Sequence, residues 1–291
     1  MRPITALRLG RVSNLPTTWT NVLAGVALSG QAAEPSLIAG LCAAVSLFYV
    51  GGMYLNDAFD RHIDAVERPE RPIPSGEVSA TTVFTLGFGM LAAGLVTVAA
   101  LTLLHASERD FAPFAAAIAL CAAIVFYDAY HKENPLSPLV MGINRVLVYL
   151  LAALSCGGST VLQHGPLLFG CGALLCYLMG LTYVAKQETL SRLKNTWPVA
   201  LLTLPFTHLE ALATPEGALV YALGLGWVLY ALSSLFVESR RNIGRAVAQM
   251  IAGISLVDAI LVAGQGATTL ALACAAGFAL TRLSQRYVPG T

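Results

Sequence analysis

Charge is what this sequence has least of. Asp, Glu, Lys and Arg make up 11% of its 291 residues while 56% are hydrophobic, against about 25% charged residues in an ordinary soluble domain. That shortage excludes a water-soluble globular enzyme. A formal net charge of +1 leaves no basic field of the kind that draws in nucleic acid, so none is expected as a partner. Six cysteines are present, but none stands in a Cys-x-x-Cys pair, and all lie in or beside apolar runs. They read as small packing residues and not as a disulfide framework or a zinc site. His105, His164 and His208 show no metal-ligand spacing. No long linker, low-complexity tract or internal repeat interrupts the chain, so residues 1–291 are expected to form one domain.

What fills the chain instead is apolar sequence. Its mean hydropathy is +0.70, and runs long enough to cross a bilayer, about 17–25 residues, recur from end to end. The expected spans are 14–30, 36–57, 81–104, 111–130, 138–156, 166–185, 196–212, 217–237, 244–263 and 267–283. The stretch 196–212 is the weakest of these, because Pro198, Pro205, His208 and Glu210 interrupt it. The arginines ahead of the first run look like the start of a signal peptide, but many spans follow, so the run is read as the first span. The fold class is therefore an all-α polytopic membrane protein, a single bundle of about nine to ten helices. If the spans alternate from a cytoplasmic N-terminus, 15 of the 17 lysines and arginines fall on cytoplasmic segments. The positive-inside rule describes that bias. Arg109 alone falls opposite, and Arg145 falls within a span.

The same layout puts a polar cluster on the cytoplasmic side. Asn56, Asp57, Asp60 and Asp64 close the second span. On a continuing helix they lie at roughly 0°, 100°, 40° and 80°, on one narrow face. Carboxylates gathered this closely repel one another, and a divalent cation is the usual remedy. Mg²⁺ takes oxygen ligands, often one or two carboxylates together with substrate phosphates. The plainer alternative is a solvated helix end whose acids pair with Arg61, Arg68 and Arg71. Charge at this depth in a membrane protein is costly and seldom incidental, which favours the metal.

Asn56-Asp57-x-x-Asp60-x-x-x-Asp64, followed by Arg71-Pro-Ile-Pro-Ser-Gly76, resembles the first aspartate-rich motif of the UbiA superfamily of intramembrane prenyltransferases. The order of spans is similar too, so the resemblance covers most of the chain. It implies a helical bundle around a central cavity open to the cytoplasm, and an enzyme that joins the prenyl group of a prenyl diphosphate to an acceptor, aromatic or otherwise small or lipid-borne. It implies Mg²⁺ as cofactor, with Asn56, Asp57, Asp60 and Asp64 serving the metal–diphosphate complex and Arg71 offsetting diphosphate charge. Tyr127 to Lys132 resembles the family's tyrosine-plus-basic motif, with either His131 or Lys132 in the basic role and Tyr127 as a hydrogen-bond donor to the leaving group. A bacterial inner membrane is the expected location, with N-terminus and active site cytoplasmic.

The chain departs from the family at its second acidic motif. Where two aspartates are usual, it has Tyr183-Val-Ala-Lys186-Gln-Glu188. Glu188 is expected to ligate one metal, and Lys186 to touch phosphate directly in place of a second cation. Lys194, in the same connection, is a further candidate for the diphosphate. This segment, with Pro138 to Leu150, resembles the EboC-type members of the superfamily. Among ionisable and amide groups inside spans, Asn21, Asn144 and Arg145 are candidates for substrate binding, although Arg145 would also be able to snorkel to the interface. Asp258 has no basic neighbour in sequence and is expected to be hydrogen-bonded between helices. Two rivals stay open: a non-catalytic relative that binds lipid or assembles a complex, and a cation-coupled transporter. Transporter sites lie nearer the bilayer midplane on broken helices, which counts against the second.

Overall fold

The computed structural model describes residues 1–105, 110–132, 134–187, 196–237, 242–288 and 290. Among them every regular element is helical: α1 (Pro3–Leu9), α2 (Pro16–Leu28), α3 (Pro35–Phe59), α4 (Arg61–Glu67), α5 (Ala80–His105), α6 (Ala112–Tyr130), α7 (Ser137–Gly157), α8 (Gly165–Ala185), α9 (Pro198–Leu201), α10 (Pro215–Phe236), α11 (Ile243–Ala263) and α12 (Thr268–Ser284), with short 3-10 turns between some of them. Seven of these are long and apolar enough to cross a membrane. The chain is a multi-pass integral membrane protein.

Local chemistry sets where the helices start. Pro16, Pro35, Pro113, Pro138, Pro166 and Pro215 stand in the first turn of their helices, where a missing N–H costs nothing and a fixed φ helps. Thr214 and Asn242 cap α10 and α11, each side chain accepting from a backbone N–H three residues on. Close approach then depends on missing side chains. A Cβ on Gly25 of α2 would come within 2.5 Å of the Tyr149 carbonyl on α7, so these two helices pack backbone to backbone.

Helix α11 runs through the middle of the bundle, with 89% of its apolar window buried, against α10, α12, α2 and α8. Its one charged residue inside the membrane is Asp258, fully buried. Asp258 accepts hydrogen bonds from Thr20 Oγ1 (2.5 Å), Asn21 Nδ2 (2.9 Å) and Tyr149 OH (2.5 Å). Three helices are tied together there, as expected of an interhelical hydrogen-bonded acid.

Two expected spans come out differently. The first is a 3-10 turn at Val12–Asn14 and then only the 13 residues of α2, too few to span alone. The stretch 196–212 is not one helix: it breaks into α9 and 3-10 turns at Leu204–Thr207 and Leu209–Ala213. Pro205 accounts for the break after α9, since it removes a donor and clashes with the preceding turn, whereas Pro198 stands at the first position of α9, where it starts the helix. The broken stretch still runs the length of α8. Its start lies against Gly180, where a Cβ would meet the Pro198 carbonyl at 2.7 Å. Its end reaches the other extremity of α8, with His208 stacked on Phe169 at 5.2 Å. Local turns and Tyr221 OH, which donates to the Phe206 carbonyl at 2.6 Å, satisfy backbone groups that lipid cannot.

Segments near the two ends of the described chain meet. Asn14 Nδ2 donates to the Gly290 carbonyl at 2.7 Å, and Gln285 Nε2 donates to Asn14 Oδ1 at 2.9 Å. Both ends therefore sit at one face of the bundle.

Candidate active site

At the face shared by the two chain ends, α2, α3, α6, α7, α8 and α11 surround a chamber of about 400 Å³, within the size range of small-ligand sites. Its mouth is polar and its interior apolar. The aspartate segment forms one wall. The helix breaks at Asp60, yet Asp60 N donates to the Asn56 carbonyl and Asp64 N to the Asp60 carbonyl, both at 2.9 Å. The helical path continues through the break, so Asn56, Asp57, Asp60 and Asp64 are all buried, at 7%, 7%, 5% and 2% exposure.

Buried carboxylates need partners, and most of these acids have them. Asp57 Oδ1 lies 3.2 Å from Arg11 Nη2 and 3.3 Å from Arg71 Nη1, and Asp64 Oδ2 lies 2.7 Å from Arg71 Nη1. Burial pushes the Arg71 guanidinium pKa down, but Asp57 and Asp64 outweigh it and the net shift is upward. Asp60 Oδ2 faces His131 Nε2 at 3.4 Å and Lys132 Nζ at 3.7 Å. His131 is the inner of the two, at 15% side-chain exposure against 40% for Lys132. Its ring stacks on Tyr127, centroids 4.9 Å apart. The aspartate segment and the tyrosine–basic segment thus meet at one mouth.

Four buried side-chain atoms of residues that line the chamber have no hydrogen-bond partner among the described residues: Asp128 Oδ2, His131 Nδ1, Asn144 Oδ1 and Thr182 Oγ1. Buried polar atoms are nearly always paired in folded proteins, so a row of unpaired ones in a cavity marks where a polar ligand belongs. No three His, Cys, Asp or Glu side chains among the described residues already surround a point where a metal would sit. The reason is electrostatic: Arg11 and Arg71 hold Asp57 and Asp64. The aspartate and asparagine donors near the mouth are nevertheless hard oxygens.

Of the residues expected from sequence, Asn56, Asp60, Asp64, Arg71, Tyr127, His131, Lys132, Asn144, Arg145 and Lys186 line the chamber. Asp57 does not; it stands behind the wall between two arginines. Asn21 does not either: its amide is spent on Asp258 and on Arg145, whose Nη1 donates to Asn21 Oδ1 at 2.8 Å. The Arg145 head turns toward α2, with Nη2 on Thr17 Oγ1 at 3.1 Å and the guanidinium over the Tyr49 ring at 5.6 Å, so it neither snorkels outward nor points to the aspartates. Lys186 Nζ donates to the Asn134 carbonyl at 2.7 Å, and burial lowers its pKa. Glu188 and Lys194 lie outside the described residues.

Two residues went unnoticed in the sequence. Asp128, 4% exposed, accepts from Asn56 Nδ2 at 3.2 Å. An acid at the end of the apolar run 111–130, beside Tyr127, was the available signal. Arg11 was counted only toward membrane orientation, and nothing local connects it to Asp57, 46 positions away. It is the only residue other than glycine with a positive φ among the described residues, at 41°. Its carbonyl accepts from Tyr49 OH at 3.3 Å, which anchors the strained turn that aims its guanidinium inward.

A family model described as the UbiA prenyltransferase family matches residues 17–239. A protein of Natronomonas pharaonis named digeranylgeranylglyceryl phosphate synthase is 29% identical over 221 residues, 70% of this chain and 73% of the relative. Proteins of the same name from Ignicoccus hospitalis and Metallosphaera sedula are 44% and 30% identical, over 30% and 42% of this chain. The chain spans only 28% and 40% of those two relatives' length. Among solved structures, a UbiA homologue from Aeropyrum pernix aligns with a TM-score of 0.66 at 17% identity, over 85% of this chain and 94% of that one. A structure concerned with digeranylgeranylglyceryl phosphate synthase in membranes aligns at 0.58 and 18% identity, over 91% and 97%. Both establish likeness of fold.

Proposed function

For a chain that belongs to the UbiA prenyltransferase family, we propose the activity of a membrane-embedded prenyltransferase, moving a prenyl group from a prenyl diphosphate to an acceptor bound in the same chamber. The observation that carries this reading is the meeting of Asn56 with Asp128, and of Asp60 with His131 and Lys132, at the polar mouth of an apolar cavity. The diphosphate belongs at the mouth and the prenyl tail below it.

The oxygen donors fit Mg²⁺, which keeps several waters and binds through a few carboxylates plus phosphates. Asn56, Asp60, Asp64 and Asp128 would hold it, with Glu188 a further candidate. When bound, the ion supplies neutralising charge to the departing diphosphate. The chain's own groups do the rest. Arg71, Lys132 and His131 bind the phosphate oxygens, and Tyr127 donates a hydrogen bond to the leaving group. The C1–O bond breaks with its electron pair leaving on the diphosphate. The acceptor's nucleophilic atom bonds to C1 and gives up a proton. Apolar walls exclude the water that would otherwise capture the allylic cation.

The relatives' name contains a glyceryl phosphate, and an acceptor of that class would suit Arg68 and Lys186, which also line the mouth. The mouth is assigned to the cytoplasm, because Arg2, Arg8, Arg61, Arg245 and Arg286 lie at its end of the bundle. Purified protein incubated with allylic diphosphates, with and without Mg²⁺, should release diphosphate in a metal-dependent way. Absence of both metal-dependent binding and release with every donor tried would refute the reading.

A further inference from the structure

The chamber has a floor, and it stands at nearly the same depth on four walls. The deep lining residues include Phe48 on α3, Leu120 on α6, Val148 on α7 and Ile254 on α11. They lie ten or eleven residues from Phe59, Tyr130, Ser137 and Ile243, the ends of those helices at the mouth, or about 16 Å down at 1.5 Å of rise per residue. Val45 lies one turn deeper on α3. All five are apolar. On α3 the carboxylates and amides stop at Asn56, and the Tyr49 hydroxyl below them is spent on the Arg11 carbonyl, so the tail below Asn56 has about 12 Å to Phe48 and about 16 Å to Val45 by the same rise. An extended chain of two isoprene units fills the first distance and one of three fills the second.

Phe48 occupies this position because of a residue outside the chamber. A Cβ on Gly94 of α5 would stand 2.4 Å from Phe48 Cε1 and 2.7 Å from Cδ1, so the ring lies in a notch that only glycine leaves. Phe48 has α5 on one side and the cavity on the other. Filling the notch drives the ring into the cavity, and truncating the ring opens the cavity toward α5. Close-packed interiors transmit such changes because they hold no slack.

We propose that the prenyl donor is a short allylic diphosphate of ten to fifteen carbons, and that Phe48, seated on Gly94, sets this limit. The inference rests on the prenyltransferase reading of the chamber and adds the donor's length class and the pair that determines it. A hydrophobic pocket discriminates by about 10-fold or more per misfitting group, which scales the expected effects.

The test is a length series on the full chain in detergent, with C10, C15, C20 and C30 allylic diphosphates and Mg²⁺, reading diphosphate release. The expected result is a kcat/KM for the C10 and C15 donors about 10-fold or more above that for C20. Phe48→Ala is expected to raise C20 relative to C15 by about 10-fold, and Gly94→Ala to lower C15 relative to C10 by a similar factor. Release that stays level or rises through C20 and C30 overturns the length limit and leaves the prenyltransferase reading standing. No release with any donor overturns both. If Gly94→Ala does not fold, the wild-type series and Phe48→Ala decide; an unchanged C20-to-C15 ratio in Phe48→Ala removes Phe48 as the ruler.

Discussion

Asn56 Nδ2 donates to Asp128 Oδ1 across 3.2 Å, joining the last turn of α3 to the last turn of α6. The bond fixes one carboxylate oxygen of Asp128 and leaves the other, Oδ2, buried and without a partner among the described residues, on a residue that lines the chamber. An acid oriented by an amide in this way is an arrangement for meeting a cation.

Asp128→Asn tests that role. The new amide still accepts from Asn56, so the fold should persist, while the charge offered to the chamber is lost. Metal-dependent diphosphate release should fall by about 10–100-fold, the usual loss when a group supporting a metal site is removed. A Mg²⁺ titration should show the apparent metal affinity weakened; wild-type affinity and turnover would remove Asp128 from the site.

Arg11 offers a second test with two opposed effects. Arg11→Gly relieves a left-handed backbone that costs about 1 kcal/mol or more for a side-chain-bearing residue, and it removes the cation facing Asp57. Arg71 still faces Asp57, so thermal stability should change little, while affinity for inorganic diphosphate with Mg²⁺ should drop about 10–100-fold, since a charge-assisted bond contributes about 1.5–3 kcal/mol. Arg11→Lys should recover only part of that affinity, because ammonium lacks the planar fork.

Asp258 lies in the structural core, away from the mouth, and its variants should be read by melting temperature. Asp258→Ala strips acceptors from Thr20, Asn21 and Tyr149 and leaves the nearby buried Arg145 uncompensated. Removing one member of a buried charged cluster costs about 3–5 kcal/mol. Tyr149→Phe removes one donor and should cost about 1–3 kcal/mol. A smaller loss for Asp258→Ala than for Tyr149→Phe would contradict the network.

A crossing by the broken stretch 196–213 can be tested by thiol labelling in a chain whose six native cysteines are replaced. Ser75→Cys should react with an impermeant reagent from the side of the mouth. Ser159→Cys and Ala213→Cys should react only from the other side. Labelling of Ala213→Cys together with Ser75→Cys would mean that the stretch 196–213 turns back without crossing.

The parts legible in the sequence are those that local pattern determines. The long spans follow from apolar run length, and Asn56, Asp60 and Asp64 share a face because helical geometry repeats over a few residues. Tyr127 and His131 stack for the same reason. What stayed hidden depends on distant approach. Arg11 meets Asp57 from 46 positions away, and Asn21 belongs to Asp258 and not to the chamber because α2 packs on α11. The shortness of α2 and the breaks between Leu201 and Ala213 reflect packing and proline placement, to which a hydropathy window is blind.

The arginine pairs on Asp57 and Asp64 carry a thermodynamic consequence. With those acids already neutralised by Arg11 and Arg71, a lone divalent ion meets little net negative charge, and a lone diphosphate meets guanidinium groups already engaged. Each ligand releases the partner that the other needs. Metal and diphosphate should therefore bind with positive coupling, each raising the other's affinity by the same factor, and the site should hold neither one tightly on its own.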